Sequence, residues 1–139
     1  MMLAAMAGCA VAAVPVLETY RIEGDAIHAP LGSATGDPYR GREVMAGRDA
    51  NCLLCHAVAE TGVRFMGDIA PPLSGVGARL SEGQLRLRII DQSRLNPDTI
   101  MPSYYKVDGL VRVAPVYRGK PVLTAQQIED IVAYLKTLK

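Results

Sequence analysis

Cys52-Leu53-Leu54-Cys55-His56 decides the reading of this chain. Two thiols with two residues between them, followed at once by an imidazole, form the Cys-x-x-Cys-His run at which a c-type haem is attached. The thiols add across the haem vinyl groups, and His56 is delivered to one face of the iron. The run occurs once, which predicts one covalently attached haem c. Two other uses of a cysteine pair compete with this one. A thioredoxin-like redox pair needs a βαβ setting, and the residues after Cys55 run through Gly and Pro rather than into a long helix. A structural zinc site needs four ligands, and beyond the run only His28 and Cys9 offer any, both far upstream and unpaired.

The iron takes a second axial ligand, usually from methionine or histidine. Met45 lies four positions after Gly41 on a predicted helix, where packing against the last helix is its expected role. Met66 follows His56 by only ten residues, an awkward distance for crossing to the opposite haem face. Met101 lies 45 residues beyond His56, after a helix, within Pro97-Asp98-Thr99-Ile100-Met101-Pro102. Pro102 restricts Met101 to extended conformations, the rigid, non-helical approach that a ligand needs. Met101 is therefore the predicted ligand, with His28 and Met66 as alternatives. Thioether ligation raises the reduction potential, so this haem is expected to accept electrons readily. A metal-bound imidazole normally donates its other ring N–H to a carbonyl. Ala70-Pro71-Pro72-Leu73-Ser74-Gly75 is the expected source, with Pro71 favoured over Pro72.

Around these residues the sequence predicts three helices and no strand. Asp37-Pro38 is an N-cap followed by proline at the first helical position, so a helix starts there and runs toward Arg48. A Gly/Pro-rich loop follows His56 through Gly77. Ser81-Glu82-Gly83-Gln84 is a capping box, with Leu85, Ile89 and Ile90 at helical spacing, which predicts a helix over residues 82–94. Residues 97–123 are punctuated by six Pro and Gly and read as loop. Thr124-Ala125-Gln126-Gln127 is another capping box, and Ile128, Ile131, Val132, Leu135 and Leu138 form one apolar stripe. The last helix is expected to run from Ala125 almost to the end.

With 139 residues, one Phe and no Trp, the chain fits one small domain whose apolar interior a bound haem completes. Residues 1–13 are almost wholly Ala, Val, Met and Leu, and Ala10-Val11-Ala12 matches a signal-peptidase site, so an export signal is expected there. Met6-Ala7-Gly8-Cys9 also has the form of a lipoprotein box. The stretch is too short to span a bilayer. Export agrees with the haem motif, because c-type haem is attached outside the cytoplasmic membrane, and it predicts a periplasmic protein. Residues 14–36 show no sustained period and read as an extended arm laid over a domain of residues 37–139. A net charge of +1 argues against a nucleic-acid binder. The charge is uneven, however: residues 64–120 hold nine Lys/Arg against five Asp/Glu. A mild positive field there would steer an acidic redox partner.

The layout Gly41…Met45, Cys52-x-x-Cys-His56, Pro71-x-Leu73-x-Gly75, Met101-Pro102 and a final helix through Tyr134 resembles class I cytochromes c. The resemblance implies an all-α fold in which the first and last helices cross, Tyr134 packs at the crossing, and Gly41 permits close backbone approach. Here that fold carries an extended N-terminal arm and a long loop before the last helix. A narrower resemblance covers residues 20–139. Ile100-Met101-Pro102-Ser103-Tyr104-Tyr105-Lys106-Val107, then Arg112-Val113-Ala114 and Tyr117-Arg118-Gly119-Lys120-Pro121, closely resemble the SoxX family, the monohaem subunits of SoxAX cytochromes.

That resemblance implies a part in the first step of thiosulfate oxidation. SoxAX joins thiosulfate to a cysteine of the carrier SoxYZ and releases two electrons, an L-cysteine S-thiosulfotransferase reaction. In that family the reacting cysteine belongs to SoxA, so no catalytic residue is expected here. The implied partners are a SoxA-like haem-bearing subunit, a SoxYZ-like carrier and a small cytochrome acceptor. Tyr104, Tyr105, Tyr117 and Arg118 are expected either at the haem propionates or on the SoxA-facing surface, against the plainer possibility of loop packing with exposed hydroxyls. The competing reading is a free-standing periplasmic electron carrier.

Overall fold

Helices begin in this chain where a side chain can satisfy the amides that the first helical turn leaves unpaired. The computed structural model describes residues 17–139; the predicted leader, Cys9 and residues 14–16 of the predicted arm lie outside them. The first helix, Pro38–Ala46 (α1), opens on Asp37, whose carboxylate accepts the Arg40 N–H at 2.9 Å. It stops short of the expected Arg48, because Gly47 turns to extended backbone. A second helix, Val76–Arg79 (α2), lies at the end of the stretch expected to be loop. It has no side-chain cap and is held from outside. Gly77 N–H donates to Leu138 O at 2.8 Å, and Lys136 Nζ donates to Gly77 O at 2.7 Å. The third helix, Glu82–Asp91 (α3), has the complete capping box of Ser81 and Gln84. It tightens at Asp91 into a 3-10 turn, Gln92–Arg94, so the helix predicted to residue 94 is two geometries in succession. The fourth, Ala125–Thr137 (α4), opens on the Thr124–Gln127 capping box. Among the described residues there is no strand beyond an isolated bridge between Glu23 and Ala26.

The core forms where α1 crosses α4, with α3 also packed on α4. Met45, Leu85, Leu87, Ile90, Ile128 and Ile131 are buried there. Gly41 makes the crossing possible: a Cβ at that position would overlap the Asp130 carbonyl and come within 2.9 Å of Tyr134 Cβ. The obstacle is helix backbone, which cannot step aside as a side-chain tip would. Gly41→Ala should therefore destabilise the fold by about 1–3 kcal/mol through overpacking, despite alanine's better helix propensity. Urea unfolding checks this, and an unchanged midpoint would mean that the helices do not meet at Gly41.

Residues 17–36 carry no helix and lie along the domain through hydrogen bonds to distant elements. Glu18 N–H donates to Tyr105 Oη at 2.8 Å, Ile27 N–H to Gly83 O at 3.0 Å, and Leu31 N–H to Glu129 Oε1 at 3.0 Å. Beneath the segment, Arg86 and Glu129 form a buried ion pair.

Asp130, on α4, ties that helix to the start of α1. Its carboxylate accepts Asp37 N–H at 2.8 Å, Arg40 Nε at 2.9 Å and Gln126 Nε2 at 2.9 Å. Burial raises the carboxyl's proton affinity, but the Arg40 guanidinium and these donors outweigh it and hold the group below the usual carboxylate range. Asp91 is lowered likewise: Ser93, Ser103 and Lys106 override the upward push of burial. A depressed folded-state value means that the unfolded chain takes up protons first as pH falls. The stabilisation from both groups is fully present above about pH 4, the unfolded carboxyl value, and is lost as pH falls through their folded values. The thermal midpoint should fall on acidification below about pH 4, less steeply in Asp130→Asn. A variant as acid-sensitive as the parent would assign the effect to other carboxylates.

Candidate functional site

Cys52 opens a 3-10 turn, Cys52–Leu54, and both Cys55 N–H and His56 N–H return to the Cys52 carbonyl, at 3.2 and 2.9 Å. Asn51 precedes the turn in the left-handed region, at φ 46°, a conformation that asparagine tolerates better than most residues. The two half-buried thiols and the imidazole are thus held on one tight piece of backbone. Burial pushes the Cys52 thiol up to about 11. A loop then folds back over the turn: Gly67 N–H donates to Leu53 O at 2.8 Å, Ala70 N–H to Cys55 O at 3.0 Å, and Leu73 N–H to Ala57 O at 3.0 Å. Gly67 lies so close to the turn that a Cβ there would overlap the Leu54 carbonyl. This fold-back brings Pro71 to the imidazole, where His56 Nδ1 lies 2.6 Å from Pro71 O. A carbonyl oxygen only accepts, so Nδ1 carries the proton and Nε2 keeps its lone pair free for a metal.

The methionines separate by environment. Met45 is fully buried in the core. Met66 Sδ accepts the Val58 N–H at 3.2 Å, which commits that sulfur to its own loop. Met101 is half-buried on residues 97–106, a strap that begins the long loop after α3. Tyr104 ties this strap to the cysteine turn. Its hydroxyl donates to Ala50 O at 2.8 Å, two residues before Cys52. Burial, and then the neighbouring Cys52 and Cys55 sulfurs, push that hydroxyl's proton affinity upward. His28 stands apart, on an exposed groove with Thr19, Tyr20 and Pro30.

These residues fit a c-type haem on their own chemistry. Paired thiols adjoin an imidazole of fixed tautomer, and a thioether-bearing strap is tied to the same turn. Large apolar side chains remain exposed in the same segments: Leu54 at 65%, Phe65 at 89%, Ile69 at 66% and Ile100 at 76%. A soluble domain normally covers such side chains with something apolar.

The tyrosines depart from expectation. Tyr104 and Tyr105 are buried, the first bonded to Ala50 O and the second accepting the Glu18 N–H, so neither offers an exposed partner-facing hydroxyl. Tyr117 is half-buried, with its hydroxyl 3.3 Å from Asp49 Oδ1, and Arg118 is exposed. The positive field of the middle region also rests on fewer residues than its composition implies, because Arg86 is buried against Glu129 and Lys106 faces Asp91 at 3.2 Å. The sequence reading missed Asp91 and the Arg86–Glu129 pair. For Arg86 a signal was available: it stands among Leu85, Leu87, Ile89 and Ile90 on a short helix, and a cation buried with them needs a partner.

Comparison with known proteins agrees with this geometry. The cytochrome c family model matches residues 39–139. A chain of the crystal structure of SoxXA from P. pantotrophus superposes with a TM-score of 0.79 at 41% identity, covering 88% of this chain and 98% of that one. Comparison with curated proteins found no match.

Proposed function

The chain belongs to the cytochrome c family and is SoxX-like, and from that premise we propose that it is the electron-accepting monohaem subunit of a SoxAX-type L-cysteine S-thiosulfotransferase. It carries one covalently attached haem c, which supplies a one-electron redox centre. Cys52 and Cys55 would hold the haem through thioethers. His56 and Met101 would ligate the iron, with the Pro71 carbonyl orienting the His56 ring. The observation that carries the assignment of Met101 is the Tyr104–Ala50 hydrogen bond, which fastens the methionine strap to the cysteine turn.

With both described thiols committed to haem, the chain keeps no nucleophile at this site, so the cysteine that reacts with thiosulfate belongs to the partner. A SoxA-like haem-bearing subunit is that partner, a SoxYZ-like carrier presents the acceptor thiol, and a small cytochrome removes electrons singly. Residues 1–13 would direct export, the described residues 17–36 form the arm, residues 37–139 form the haem domain, and the protein works in the periplasm. No helix among the described residues is long and apolar enough to cross a membrane.

Mild purification of the native protein from thiosulfate-grown cells tests the reading. Co-migration with a second haem-bearing chain, together with carrier-dependent thiosulfate oxidation, is expected. A haem-loaded monomer of this chain's mass would favour the free-standing electron carrier.

A further inference from the structure

Asp91 is buried at the last position of α3, where a negative charge opposes the helix dipole. Part of its role is local, since it caps the following 3-10 turn by accepting the Ser93 N–H; that leaves the rest of the carboxylate to account for. The carboxylate also reaches the strap. Oδ1 accepts the Ser103 hydroxyl at 2.9 Å, along with the Ser93 hydroxyl and Ser93 N–H, while Oδ2 faces Lys106 Nζ at 3.2 Å. Ser103 and Lys106 lie two and five residues after Met101. Between them, Tyr104 N–H donates to Ile89 O at 3.2 Å, two residues earlier on α3. Nearer to Met101 the backbone has little hold of its own. Pro102 has no N–H to give, and Met101 N–H reaches only the local Thr99 hydroxyl, at 3.1 Å. The Ser103–Asp91 hydrogen bond is thus the anchor nearest to Met101 that reaches outside the strap.

We propose that Asp91 is the positioning residue for the sixth iron ligand, its carboxylate holding the strap by Ser103 and Lys106 so that Met101 stays engaged. The inference rests on Met101 being that ligand. A strap that opens more often exposes the iron more often, and an added ligand then binds with an apparent affinity raised in proportion to the open fraction.

The test is titration of the ferric holoprotein with imidazole, followed by absorbance, beside the thermal midpoint of each variant. Asp91→Ala should bind imidazole about tenfold more tightly than the parent, equivalent to about 1.4 kcal/mol. Ser103→Ala should shift in the same direction by a smaller factor, and it decides the matter if Asp91→Ala does not hold haem. Asp130→Asn, which loosens the α1–α4 crossing away from the strap, should lose stability without gaining imidazole affinity. Met101→Ala should bind imidazole most tightly of all. If Met101→Ala gains affinity while Asp91→Ala and Ser103→Ala stay within twofold of the parent, the positioning role is wrong and the axial ligand stands. If Asp130→Asn gains as much as Asp91→Ala, the effect is one of general stability and the proposal falls. If Met101→Ala itself gains nothing, the ligand assignment fails, and the role of Asp91 fails with it.

Discussion

Glu129→Ala should lower the unfolding free energy of the holoprotein by about 3–5 kcal/mol, the range for removing one partner of a buried ion pair. Glu129 Oε1 and Oε2 each meet Arg86, at Nε and Nη2, with both distances 2.7 Å. Arg86 is 1% exposed, so its charge has no water to turn to once the carboxylate is gone. The same two side chains fasten the N-terminal segment, because Arg86 Nη1 donates to Ile27 O at 2.6 Å and Glu129 Oε1 accepts Leu31 N–H at 3.0 Å. The loss should therefore appear in two places: a lower urea midpoint, and faster amide exchange at Ile27 and Leu31. Replacing both partners with apolar residues, as in Arg86→Met with Glu129→Leu, removes the stranded charge and should recover much of the stability. Recovery should stay incomplete, since Ile27 O and Leu31 N–H then lack partners, at about 1–3 kcal/mol for each buried unsatisfied group. A double variant no more stable than Glu129→Ala would show that packing, not the uncompensated charge, dominates the loss.

The contrast between these residues and the haem motif shows what a sequence discloses. The starts of α1, α3 and α4 were legible because each rests on a side chain bonding to backbone three residues away: Asp37 to Arg40, Ser81 to Gln84, and Thr124 to Gln127. Helix α2 was not legible, since its four residues are held by Lys136 and Leu138, about sixty positions along the chain. The cysteine turn is equally local, with both thiols and the imidazole lying inside five residues. The Pro71 carbonyl could be narrowed to one short turn, but its proximity to His56 depends on the loop that folds back through Gly67 and Ala70. Tyr104 and Tyr105 were misjudged for the opposite reason. A tyrosine in a Pro- and Gly-rich stretch resembles a surface residue, whereas both rings are buried and their hydroxyls pair with Ala50 and Glu18 across 54 and 87 residues. Nothing in the sequence singled out Asp91, which falls inside the helix predicted over residues 82–94. Its significance emerges only when Ser103 and Lys106 return to meet it.

Replacing both thiols, Cys52→Ala with Cys55→Ala, should abolish haem that survives denaturation and should also remove most of the cooperative fold. The first effect follows from chemistry: no other sulfur nucleophile among the described residues can form a thioether, and His56 and Met101 alone would leave the group free to dissociate. The second follows from the apolar inventory. The chain has one Phe and no Trp, and that Phe, Phe65, is 89% exposed. Leu54, Ile69 and Ile100 in the same segments are also mostly exposed. Sheltering one such side chain fully contributes about 1.5–3 kcal/mol. Several together approach the roughly 5–15 kcal/mol by which a domain is stable at all. The haem-free chain should accordingly unfold with a shallow, poorly cooperative urea transition, whereas Glu129→Ala should keep its haem and unfold sharply at lower urea. Haem staining after denaturing electrophoresis reads the first effect, and far-ultraviolet circular dichroism against urea reads the second. Single replacements should retain haem on the remaining thioether, because either cysteine alone still forms one covalent link. A double variant that lost its haem stain yet unfolded as steeply as the parent would mean that the α1–α4 crossing, the Arg86–Glu129 pair and the core around Leu87 and Ile128 suffice to hold the fold. The cofactor would then be cargo rather than core.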